Sequence, residues 1–162
     1  MILGMSIESF TLLHVVISLI GIAAGFVVIF GMMSAKRLPA LTVLFLVTTV
    51  LTNLTGFLFP FKGITPGIVI GILSIFVLGL AIFALYGGHL AGKWRGTYVI
   101  ASIVALYFNF FILIVQSFQK NPALQSLAPT QSELPFKVAQ LVTLVLFVIL
   151  GTLAFKKFRF AD

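Results

Sequence analysis

The chain has 162 residues, of which 61% are hydrophobic and only 8% charged, with a mean hydropathy of +1.27. A soluble domain carries about a quarter charged residues, so this composition excludes an ordinary water-soluble fold. The absence of cysteine removes disulfides, thiolate metal sites and cysteine nucleophiles. The net charge of +7 lies in small groups at segment ends, which argues for membrane anchoring and against nucleic acid.

In chain order, Met1–Phe10 has Glu8 as its only charged side chain. Without a basic start it does not read as a cleavable leader, and the first apolar segment is expected to stay in the protein. Five stretches free of Asp, Glu, Lys and Arg follow, at about 12–33, 40–59, 67–86, 98–118 and 138–155. A run of about 18 or more apolar residues is long enough to cross a hydrocarbon core, and lipid forces such a run into a helix. Pro39 suits the first turn of the second helix, and Pro60 ends it at Phe59. Thr65 is a plausible N-cap for the third, while Gly87, Gly88 and Gly92 loosen that helix's far end. Pro122, Pro129 and Pro135 keep the long connection 119–137 irregular, with a short surface helix at Ala123–Leu127 left open. The expected architecture is an all-α, polytopic transmembrane helical bundle with five crossings, a single unit over 1–162.

Orientation follows from the basic residues. Lys36, Arg37, Lys93, Arg95, Lys156, Lys157 and Arg159 fall on one side, against Lys62, Lys120 and Lys137 on the other. Positive residues are held in the cytoplasm, so this count predicts an outside N-terminus and a cytoplasmic C-terminus. Trp94 and Tyr98 beside Arg95 fit an interfacial anchor on the inner side.

Helices in lipid associate by close packing and interhelical hydrogen bonds. Ser18, Gly21 and Gly25 form a small-residue stripe on the first helix, and Gly67, Gly71 and Ser74 form another on the third. Packing within the monomer is the default use of these stripes. Homo-oligomer contact through Gly21/Gly25 or Gly67/Gly71 is the alternative. Phe57, Phe59, Phe61, Phe108, Phe110 and Phe111 crowd the outer halves of the second and fourth helices and read as bulky filler rather than an aromatic cage.

Polar residues inside a membrane span usually face the bundle interior. On a helical wheel Thr48, Thr49, Thr52, Asn53, Thr55 and Gly56 share an arc of roughly 160°. Ser102, Asn109 and Gln116 repeat every seven residues, with Tyr98 at the inner end of their seam. Asn53 falls about 10 Å, and Asn109 about 13 Å, below the outer end of its helix. His14, Thr52, Asn53, Asn109, Gln116 and Gln140 thus gather in the outer half, beneath the connection that carries Thr130, Gln131, Ser132 and Glu133. These seven residues, Glu133 included, are the candidate ligand-binding set. In the competing reading they only fasten helices together, at about 0.6–2 kcal/mol per pair.

Catalytic and metal signatures are missing from the sequence. The three acids are Glu8, Glu133 and Asp162, and none falls in mid-membrane where a proton-coupled carrier would need one. His14 and His89 lie near opposite ends of their helices, so one chain cannot ligate haem with both. No histidine–carboxylate cluster offers a metal site. No cofactor is expected, with quinone or haem kept as redox alternatives.

Thr55-Gly56-Phe57-Leu58-Phe59-Pro60-Phe61 and Leu127-Ala128-Pro129-Thr130-Gln131-Ser132-Glu133 resemble segments of small bacterial integral membrane proteins. The resemblance implies an inner-membrane location and brings no activity. The expected function is a multi-pass inner-membrane protein without intrinsic catalysis. It would bind a lipid or quinone-like amphiphile in an outer-leaflet pocket, or serve as a membrane partner of other subunits. The alternatives are a purely structural accessory subunit and a quinone- or haem-linked redox protein.

Overall fold

The structure is a computed structural model that describes residues 1–60 and 63–159; Phe61, Lys62 and Asp162 of the sequence reading lie outside them. It consists of helices α1 (Ile7–Met33), α2 (Pro39–Phe57), α3 (Pro66–Ile82), α4 (Lys93–Lys120), α5 (Pro122–Leu127) and α6 (Leu134–Lys157). α3 continues through one π-helical turn, Phe83–Gly87. Five helices, all but the short α5, are long and apolar enough to cross a membrane.

The helix ends follow local chemistry. Ser6 caps α1 by accepting from Ser9 N–H at 3.1 Å, which starts the helix five residues before the uncharged run. Glu8 is tolerated there because the first turn favours an acid. Thr65 caps α3 by accepting from Ile68 N–H, as the sequence suggests. α2 stops at Phe57 rather than Phe59, because the turn before Pro60 is already unwinding. Ala123–Leu127 is helical: Pro122 takes the first position of α5 and the Asn121 Oδ1 accepts from Ala123 and Leu124 N–H. α4 and α6 run past their uncharged stretches to Lys93, Lys120 and Lys157, since terminal charges reach water at the membrane surface.

α1, α2, α3 and α4 form a ring in which each packs on its neighbours, and α6 lies outside the ring against α4 and α1. The two glycine stripes do not meet. Both turn toward α2, because short connections make α2 the antiparallel neighbour of α1 and of α3. A Cβ built on Gly21 would lie 2.9 Å from Thr48 Oγ1, and one on Gly71 would lie 3.0 Å from the Phe57 ring. Gly25 is tighter still, with a Cβ only 2.6 Å from Leu106 Cδ1. Gly21, Gly25 and Gly71 are therefore covered within the chain, and Gly67 stays exposed at the start of α3.

Below mid-depth the ring is filled. Phe45, Val99, Ala105, Leu106 and Ile29 are fully buried, with Leu78 and Ala81 closing the side toward α3. This packed region extends to the end of the bundle marked by Arg95. There the Arg95 guanidinium donates to Phe158 O at 2.7 Å and Phe155 O at 3.2 Å, tying the start of α4 to the end of α6.

Candidate functional site

At the opposite end, marked by His14, the four ring helices stand apart around a cavity of about 960 Å³. α1 supplies His14, Ser18 and Ile22; α2 supplies Thr52, Asn53, Gly56 and Phe57; α3 supplies Gly71 and Ser74. α4 supplies Phe108, Asn109, Gln116 and Lys120, and Asn121, Pro122 and Leu124 form part of the rim. The volume lies in the upper part of the range typical of small-molecule pockets.

Local helix chemistry sets what each polar group presents. Thr48, Thr49, Thr52 and Thr55 each donate their hydroxyl to a carbonyl four residues back on α2, at 2.6–2.8 Å. The threonine face is thus mostly self-satisfied, and the sequence expectation of threonine as interhelical glue does not describe it. Among the described residues, two hydrogen bonds of the lining side chains cross between helices. Asn53 Nδ2 donates to Ser74 Oγ at 3.1 Å as well as to Thr49 O, joining α2 to α3. His14 Nδ1 meets Thr55 Oγ1 at 2.8 Å, joining α1 to α2, and Phe59 packs edge-on against the imidazole.

Asn109 stands out. Its Nδ2 is buried and has no hydrogen-bond partner among the described residues. A buried amide N–H left unpaired costs about 1–3 kcal/mol. The residue lines the cavity, and an occupant would relieve that cost once the amide turns to meet it.

Five of the seven sequence candidates, His14, Thr52, Asn53, Asn109 and Gln116, line this one space. Two do not. Gln140 sits on α6, outside the ring; its Nε2 reaches Phe111 O at 3.4 Å and its Oε1 is buried without a partner. Glu133 folds back on its own turn, accepting from Thr130 Oγ1 at 2.8 Å and from Thr130 and Ser132 N–H. The Thr130 hydroxyl, followed by those backbone N–H groups, holds the Glu133 carboxyl below the usual carboxylate range. Gln131 latches the same turn to α4 by donating to Val115 O. The roof is therefore Asn121, Pro122 and Leu124 at the rim, not the 130–133 turn.

Sequence reasoning passed over several lining residues, Ser74, Lys120 and Phe108 among them. Ser74 was visible only as a small residue. Lys120 is one of the few cations on the poorly charged side, and Phe108 reads as filler on a wheel. Among the described residues, Lys120 is the only Lys or Arg in the lining, which holds no carboxylate. The remaining aromatic filler behaves as expected: Phe110 packs on Phe26 and Phe147, and Phe111 on Tyr107. His89 follows the π turn at the Arg95 end with a positive φ of 48°, far from His14. Set against protein-family models, curated proteins and solved structures, the chain matches none.

Proposed function

We propose that this chain is a multi-pass protein of the bacterial inner membrane that binds an amphipathic small molecule, a lipid or a quinone-like compound, in the cavity at its His14 end. In this reading the N-terminus faces outward, the cavity opens toward the outer leaflet, and the chain performs no catalysis of its own. The observation that carries the reading is the unpaired, buried Nδ2 of Asn109 on the wall of a space of about 960 Å³. A residue serving only to fasten helices would have its donors paired across the helix contact, as Asn53 has with Ser74. The lining also mixes apolar and polar surface in the way an amphiphile requires: Ile22, Phe57 and Phe108 stand beside Asn53, Asn109 and Gln116.

Native mass spectrometry of gently extracted protein tests this. Wild type is expected to retain a bound lipid or quinone, and Asn109→Leu to lose it while remaining folded. A wild-type protein that emerges empty from several mild detergents, or an Asn109→Leu variant that keeps the same adduct, would remove the case for a pocket at this end.

A further inference from the structure

Resting on that reading, the hydrogen bonds around His14 specify the head of the occupant. Thr55 has a single hydroxyl hydrogen, and its Oγ1 lies 2.7 Å from Leu51 O. A carbonyl only accepts, so that hydrogen is committed to Leu51. The contact of 2.8 Å between Thr55 Oγ1 and His14 Nδ1 then needs its hydrogen from the imidazole. Neutral His14 is therefore held with Nδ1 protonated and Nε2 bare. Nε2 makes no hydrogen bond among the described residues, and His14 lines the cavity. The ring is held in place by Phe59, edge-on at 5.4 Å. The cavity thus offers a fixed acceptor at His14 and, once the Asn109 amide turns toward the space it lines, an unused donor at Nδ2.

We infer that the occupant carries a hydroxyl head on an apolar tail, its O–H donating to His14 Nε2 and its oxygen, or a neighbouring one, accepting from Asn109. An aryl hydroxyl and a lipid alcohol share this chemistry. A head with acceptors alone satisfies Asn109 and leaves His14 Nε2 facing an oxygen lone pair.

The full chain in lipid nanodiscs provides the test, with three probes: a para-pentadecyl phenol, its methyl ether and a primary alcohol of equal chain length. The phenol is expected to bind about tenfold more tightly than the ether, the size of one hydrogen bond left unmade in a buried site. His14→Phe is expected to abolish that preference. The chain has only two histidines, so ¹⁵N spectra resolve His14 in the wild type whether or not the variant folds. Its Nε2 should show the signature of an unprotonated nitrogen and move on adding phenol but not ether. An Nε2-protonated tautomer, or equal binding of phenol and ether, overturns the head assignment and leaves the pocket standing. Failure of all three probes to bind overturns the pocket as well. Phenol binding above the alcohol assigns an aryl head; equal binding of the two assigns a lipid alcohol.

Discussion

At the Arg95 end, side chains from α1, α2 and α4 meet with Phe45, Val99 and Leu106 fully enclosed. At the His14 end the same helices stand apart around about 960 Å³ and face that space with amides, hydroxyls and an imidazole. One set of helices thus serves two purposes at two depths. The difference starts in residue size and polarity along each helix. α1 presents Gly25 to Leu106 and Phe45 in the packed half, where backbones approach closely. Higher up it presents His14, which meets α2 side chain to side chain at Thr55. Close packing fills the first half; incomplete packing leaves the second half open around the cavity.

The largest effect should come from filling the packed half. Gly25→Leu places a Cβ 2.6 Å from Leu106 Cδ1 and 3.0 Å from the Phe45 ring. Overpacking of this kind costs about 1–3 kcal/mol, read as a lowered thermal midpoint in detergent. A midpoint unchanged by this substitution would mean that the two halves are equally loose.

Next in size is Arg95→Ala, which removes both bonds to the last turn of α6. Partial exposure moderates the loss to about 1–2 kcal/mol. Faster amide hydrogen exchange should concentrate at the end of α6 and leave the cavity-lining helices unchanged. Exchange that instead rises around His14 would show that the ends are not independent.

Asn109→Leu should behave oppositely to Gly25→Leu. Removing an unpaired buried amide leaves the thermal midpoint unchanged or raises stability by about 1 kcal/mol in ligand-free protein. A clear drop would make Asn109 a fastening residue and erase the contrast between the two ends.

The smallest effect lies outside both halves. Glu133 gains its hydrogen bonds only as a carboxylate, so it should titrate below the ordinary 4.5 in a carboxyl ¹³C experiment. Because the folded state lowers its pKa, its contribution is present above the unfolded value and disappears as pH falls through the folded one. Thr130→Val removes the largest cause and should return the titration toward 4.5.

The helices were legible because lipid permits little else than uncharged apolar runs in a crossing. Their ends extended further than those runs, since Ser6 capping and terminal lysines are compatible with helix at a wet surface. Depth and wheel position brought His14, Thr52, Asn53, Asn109 and Gln116 together correctly. The same reasoning misplaced Gln140, because a wheel gives the face of a helix but not which neighbour it meets. α6 turned out to lie outside the ring. Glu133 was placed over the pocket by loop proximity alone, while Thr130 and Ser132, three and one residues away, offered nearer donors. The bare nitrogen of His14 had no sequence signal, because it depends on where the hydrogen of Thr55 goes.

The back-bonded hydroxyls of α2 have a wider consequence. With its hydrogen turned to Thr48 O, the Thr52 hydroxyl has only lone pairs left for a further partner. Across the ring, α4 lines the same space with Lys120. Hydroxyl acceptors on α2 and a cation on α4 thus border one space from different sides. A molecule with unlike faces would meet different chemistry on each side of that space.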